Sequence, residues 1–326
     1  MKKGREFPLL RAAAYTMFFL LVAGAAFGRF YASTAPQRLK PIEKSKPLAA
    51  ISGYTEAIRL SPADGDLYTR RGVTDLILGR YRDAVGDFTR AAELSPDNPE
   101  PFLGRGYALL ELGDARSAEM DLEQSIQRRA TGDAKKSLEE GFLASLRGQR
   151  EQAIRMYTAA LSSKLAQDDR CTALINRSSD YGETGQQEKA LDDLNAAFSV
   201  CENQKDREDI LVSRGVHYSL VNRNDLALRD WAMALSINPN NATVFRNRAS
   251  LFEKDGEFEA ALSEVNRYIE LQPNDPEGYT MRADVYFKMN KKELAEADLK
   301  TANDLLRLNR PLHQFPVGGS LWRKTD

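Results

Sequence analysis

The chain has 326 residues, and its 46 Lys and Arg nearly cancel its 47 Asp and Glu, leaving a formal net charge of −1. So even a balance excludes the whole-molecule field that draws a protein to nucleic acid or anionic lipid. The 42% hydrophobic content is enough for a core. The 29% charged fraction, with Gly and Pro confined to short clusters, reads as helical and water-soluble over most of the length.

The first thirty-odd residues depart from this. Lys2, Lys3, Arg5 and Arg11 precede an uncharged stretch from Ala12 to Phe27, the pattern of an export signal. Ala23-Gly24-Ala25 offers a small-x-small cleavage site. Alternatively, Ala12 to Ala35 carries one charge, Arg29, and is long enough to span a bilayer if that side chain snorkels to the interface. Residues 1–33 are therefore a signal-anchor or a cleaved signal peptide, with the balance slightly toward the anchor. Either way the remainder is expected on the exported, periplasmic side of the cell envelope. Residues 34–47 hold three prolines and scattered lysines and read as a linker.

Beyond the linker the chain repeats itself. Ala84, Ala118, Ala153, Ala190, Ala227, Ala261 and Ala295 are spaced by 34, 35, 37, 37, 34 and 34 residues. Five positions before each stands Gly79, Gly113, Gly148, Gly185, Asn222, Gly256 or Asn290. Four positions after each stands a bulky residue: Phe88, Leu122, Tyr157, Leu194, Trp231, Val265 or Leu299. Seven positions after, Ala91, Ser125, Ala160, Ala197, Ala234 and Ala302 are small, with Tyr268 the exception. Gly or Asn can take the left-handed conformation that ends one helix before the next begins. Small residues seven apart let two helices approach closely, and the bulky residue between them fills the adjoining hole. Prolines such as Pro62, Pro96, Pro239 and Pro273 then stop the second helix.

This beat resembles the tetratricopeptide repeat, a 34-residue helix pair with small residues at positions 8, 20 and 27 and a frequent proline at 32. The position-8 residues here are Gly72, Gly106, Gly141, Ser178, Gly215, Ala249 and Ala283. Seven repeats begin near residues 65, 99, 134, 171, 208, 242 and 276 and fill 65–307, after a half repeat at 48–64 and before a tail at 308–326. The expected fold is all-α: an α-solenoid superhelix of stacked antiparallel helix pairs, preceded by one transmembrane or signal helix. Asp75 stands where an apolar residue is expected, and the third and fourth repeats lack their prolines.

Two constellations look chemical and read as structural. Position 7 carries Arg71, Arg105, Arg177, Arg214, Arg248 and Arg282, and sixteen residues later stand Asp87, Asp121, Asp193, Asp230, Glu264 and Asp298. The third repeat has lost both members, with Glu140 and Met156 in their places, and the half repeat offers Gly53 at the acid position. Pairing within each repeat is therefore expected, as a ladder of ion pairs that fixes hairpin register. Cys171 and Cys201 occupy positions 1 and 31 of one repeat, which antiparallel helices bring together. In an exported protein a disulfide is the natural reading, and two free buried thiols are the alternative.

Neither nucleotide loops nor nucleophile elbows occur, and with only His217 and His313 available no zinc-ligand spacing does. No enzyme, metal or cofactor is expected. The resemblance implies that first helices line a groove with positions 2, 5, 9, 12 and 13. In the first five repeats these include Val73, Leu76, Ile77, Leu103, Tyr107, Leu110, Leu138, Phe142, Leu146, Ile175, Val212, Val216 and Leu220; in the last two they are mostly charged, from Arg246 and Glu253 to Glu277 and Lys288. Such a strip suits apolar or amphipathic segments of other polypeptides, although part of it reads equally as inter-helix core. The expected role is a non-enzymatic scaffold or adaptor of the cell envelope. A homo-oligomeric structural protein, or an accessory subunit of an envelope enzyme complex acting on glycan or peptide, is the alternative. The tail's Phe315, Leu321 and Trp322 are too apolar to be wholly solvated; they either cap the array or occupy its groove.

Overall fold

A computed structural model describes residues 47–308; the N-terminal segment, most of the linker and the tail lie outside the described residues. Within them are fifteen helices and no strand. The half repeat is α1 (Pro47–Leu60). The repeats follow as the pairs α2 (Gly65–Ile77) and α3 (Tyr81–Leu94), α4 (Pro99–Glu111) and α5 (Ala115–Arg128), α6 (Ala134–Leu146) and α7 (Arg150–Ser162), and α8 (Gln167–Glu183) and α9 (Gln187–Val200). Then come α10 (Gln204–Leu220) and α11 (Asn224–Ile237), α12 (Ala242–Asp255) and α13 (Phe258–Leu271), and α14 (Pro276–Lys288) and α15 (Lys292–Leu308). None of these helices is long and apolar enough to cross a membrane.

Each boundary has a chemical cause. Asp64, Asn98, Asp114, Asp133, Asn241 and Asp275 accept a backbone N–H of the first turn that follows them, satisfying donors a helix start leaves open. The mid-repeat residue is left-handed in all seven repeats, with φ between 71° and 83° at the glycines and 58° and 60° at Asn222 and Asn290. The seven alanines that set the beat are all 0% exposed, so the period marks the line along which the helices touch.

Two compact bodies divide within α10, one through Ile210 and the other from Leu211. In the first, α1 to α9 pack each against the next in chain order, and the first helices of neighbouring repeats also touch, α2 with α4 and α6 with α8. In the second, α11 to α15 pack in the same sequential way. A bulky residue from each second helix lies against the small residue of its partner: a Cβ added to Gly72 would meet Phe88 at 3.1 Å, and one on Gly141 would meet Tyr157 at 2.8 Å. Phe88 also faces Gly104 of the next repeat, at 2.5 Å from a Cβ built there. Glycine at these positions is what lets an aromatic ring lie between helices.

The exception Tyr268 is absorbed one repeat further on. Gly278 leaves room for its ring, with a built Cβ only 3.0 Å away, and the Tyr268 hydroxyl donates to Asp275.

Candidate protein-binding face and its supports

The arginine ladder is a set of two-pronged bonds. Arg71 donates Nε and Nη2 to Asp87 at 2.7 Å each, and Arg105 does the same to Asp121. The pairs Arg177–Asp193, Arg214–Asp230 and Arg282–Asp298 repeat the fork at 2.7–2.9 Å. The geometry matches planar guanidinium to planar carboxylate and ties the two helices of a repeat at one register. Arg248 and Glu264 make a single 2.9 Å contact, and Arg248 Nε and Glu264 Oε2 are left buried without a hydrogen bond. Glutamate's extra methylene takes the carboxylate out of line with the fork.

Pairing is not confined to one repeat, a point the sequence argument missed. Nη1 of Arg71, Arg105, Arg177 and Arg282 reaches back to Thr55, Thr89, Thr158 and Asn266 on the preceding second helix, at 2.7–3.2 Å. The half repeat lacks an acid at Gly53 and supplies the Thr55 hydroxyl. A polar residue recurring at position 25 was the available signal.

The third repeat, with no arginine fork, is joined to the second by a buried cluster. Glu139, 1% exposed, accepts from Arg129 Nε at 2.5 Å and from the Ser125 hydroxyl at 2.8 Å. Arg129 also contacts Glu100 at 3.0 Å and Asp133 at 3.7 Å. Burial pushes the Glu139 carboxyl above its ordinary range, against the pull of Arg129. Ser125 stands where five other repeats carry alanine, and its hydroxyl serves Glu139.

Cys171 and Cys201 are joined by a disulfide, with Cα atoms 5.4 Å apart. It closes α8 against the end of α9 over a separation of 30 residues, within a small core of Leu174, Leu194, Ala197 and Ile210. In the chain-entropy picture such a loop contributes about 3–4 kcal/mol. His217 is buried, and desolvation lowers its pKa to about 4, so it packs as a neutral ring at physiological pH. Among the described residues no group of three His, Cys, Asp or Glu could hold a metal ion.

The predicted groove splits into two classes. Val73, Leu103, Tyr107, Leu138, Phe142 and Val212 are at most 5% exposed, which makes them packing between helices and not an open surface. Leu76, Leu110, Leu146, Ile175 and Val216 are half-buried, and Ile77 (45%) and Leu220 (44%) are exposed. What remains accessible in the first three repeats is thus a strip near the ends of the first helices, joined by Leu112 at 42%. At positions 5 and 9, Val73, Leu103, Tyr107, Leu138, Phe142 and Val212 sink between helices, whereas Ile175 and Val216 stay half-buried. The charged positions of the last two repeats largely satisfy one another: Arg246 meets Glu277 at 3.3 Å and Lys288 meets Glu253 at 2.7 Å.

A first helix, a left-handed turn, an antiparallel second helix and a stacked successor define a helical-repeat protein, the class built to present a row of helices to other chains. Tetratricopeptide-repeat family models match residues 69–134, 221–276 and 276–305. The chain is a tetratricopeptide repeat protein. Among solved structures it is similar, at TM-score 0.67 and 13% identity, to a chain of the APC/C hetero-tetramer Cut9-Hcn1. That match covers 74% of this chain and 47% of the other, so the present chain spans about half of that relative's length. A tetratricopeptide repeat protein from Parabacteroides merdae ATCC 43184 is 28% identical at TM-score 0.50, over 63% of this chain and 79% of its own. No curated protein sequence matches.

Proposed function

We propose that this protein is a scaffold of the cell envelope that holds an apolar or amphipathic segment of another polypeptide against its first three repeats. The tetratricopeptide fold supports protein–protein interaction, and the observation that carries the finer reading is the strip of Leu76, Ile77, Leu110, Leu112 and Leu146. Ile77 and Leu112 are exposed, and Leu76, Leu110 and Leu146 beside them are half-buried against the core. A partly exposed apolar row on successive first helices suits a partner with apolar residues at matching intervals. The basic and apolar N-terminal segment supports tethering at a membrane with the repeats on the exported side.

Photo-crosslinking in cells from Ile77, with the second-helix residue Met120 (60% exposed) as control, tests the binding face. Adducts at Ile77 that map to an apolar stretch of another protein are the expected result. Adducts to a second copy of the chain would favour the homo-oligomeric alternative, and equal yields at both positions would overturn the assignment of this face. Fusing alkaline phosphatase to Asp326 tests export, since the enzyme matures only outside the cytoplasm; an inactive fusion overturns the envelope placement.

A further inference from the structure

At the residue four after each repeat's alanine, exposure is 0% for Phe88, Leu122, Tyr157, Leu194 and Val265 and 1% for Trp231. In each of these repeats the next first helix follows in the chain. The seventh equivalent, Leu299 on α15, is only half-buried, and Leu306 below it is 54% exposed. Around Leu299 lies an open depression of about 390 Å³ whose rim is Glu296, Lys300, Asn303, Asp304 and Arg307. One of these is a departure from the repeat. Asn303 replaces Ala92, Ile126, Leu161, Phe198, Leu235 and Ile269, while Glu296 stands where five other second helices have Val85, Ile154, Leu191, Leu228 and Leu262 and α5 has Glu119. With its apolar ridge reduced to Leu299 and Leu306 beside polar residues, α15 offers less apolar surface to a whole further helix than most second helices before it. It retains a seat for one or two large side chains.

The chain itself continues from this face. After Leu308 come eighteen residues that include Phe315, Leu321 and Trp322, where a next first helix would have begun near 310. Leu299 lies nine residues back along α15, roughly 14 Å at helical rise, and the fourteen residues from 309 to 322 can extend over about 46 Å. An indole offers a broad apolar face for Leu299 and Leu306 and one N–H for the polar rim. We propose that the segment 309–326 of the same chain covers α15, with Trp322 seated over Leu299 and Leu306, closing the array in place of a further helix.

The sequence has two tryptophans, and Trp231 is shielded at 1% exposure, so acrylamide quenching of the full chain reports on Trp322. Both indoles are expected to resist quenching in the natural chain. Leu299→Glu with Leu306→Glu should make about half of the emission quenchable while far-UV circular dichroism stays helical. Leu306→Gln, at an already exposed residue, gives a smaller change in the same direction if the double variant does not fold. Half of the natural chain's emission quenching like free indole would overturn the proposal, as would protection that survives both sets of changes. Protection that disappears on dilution would overturn it too, since the cover would then be a second copy.

Discussion

The junction between the second and third repeats and the forked hairpins of the other repeats reach the same mechanical end by different chemistry. Where an arginine fork is present, as at Arg105–Asp121, the pair sits at the edge of the helix pair, with side chains 22% and 8% exposed. Where the fork is absent, Arg129 and Glu139 are drawn to the interior, with side chains 6% and 1% exposed. A partly wetted fork keeps some solvation and gains geometry, whereas the interior pair must recover its lost hydration from Ser125, Glu100 and Asp133 as well. A repeat can therefore lose a conserved-looking internal pair if the joint to its neighbour carries the load.

The comparison is most sharply broken at Arg129. Arg129→Leu leaves the Glu139 carboxyl buried without its cationic partner, and should cost about 3–5 kcal/mol in urea unfolding. Arg129→Leu with Glu139→Leu should recover most of that loss; no recovery would mean that the pair is not a closed unit. Arg105→Ala is expected to cost less, about 1.5–3 kcal/mol in the same measurement, because Asp121 is nearer to water and only hydrogen bonds to a charged group are removed.

Asp75 tests burial without a fork. It is 3% exposed, its Oδ1 has no hydrogen-bond partner, and Arg80 stands 3.8 Å away. Burial, aided by Asp87 and Asp83, raises its pKa from the usual 3.8 to about 6. With the folded value above the unfolded one, its contribution is most favourable below the unfolded value and is lost as pH rises through about 6. Asp75→Asn should therefore raise the melting temperature at pH 7.5 and leave it near the natural value at pH 4; an equal shift at both pH values would reject the assignment. The smallest effect is expected at the imperfect fork. Glu264→Asp brings the carboxylate into the geometry of the other five pairs and should stabilise by about 0.5–1.5 kcal/mol, read as a higher urea midpoint.

Much of this was readable beforehand because it rests on local periodicity. Gly79 through Asn290 announce the turns by needing positive φ, and Ala84 through Ala295 announce the contact line by being small at a constant interval. The cluster at Glu139 was hidden, because Ser125, Arg129 and Glu139 look like surface residues of two separate helices until the repeats stack. The same holds for Tyr268 and Gly278, an oversized residue and its accommodation ten positions later, which read as two unrelated irregularities.

The amino-acid order by itself determined the number of repeats, the antiparallel pairing within each and the partners of the arginine fork. All three follow from residue type at fixed spacing on a helix of 3.6 residues per turn. Only the tertiary structure decided which apolar residues of the first helices remain in water. Val73 and Ile77 share a helix and an apolar character, yet one is 1% and the other 45% exposed. The difference lies in how closely the neighbouring first helix approaches each of them, a distance set by side chains from other repeats.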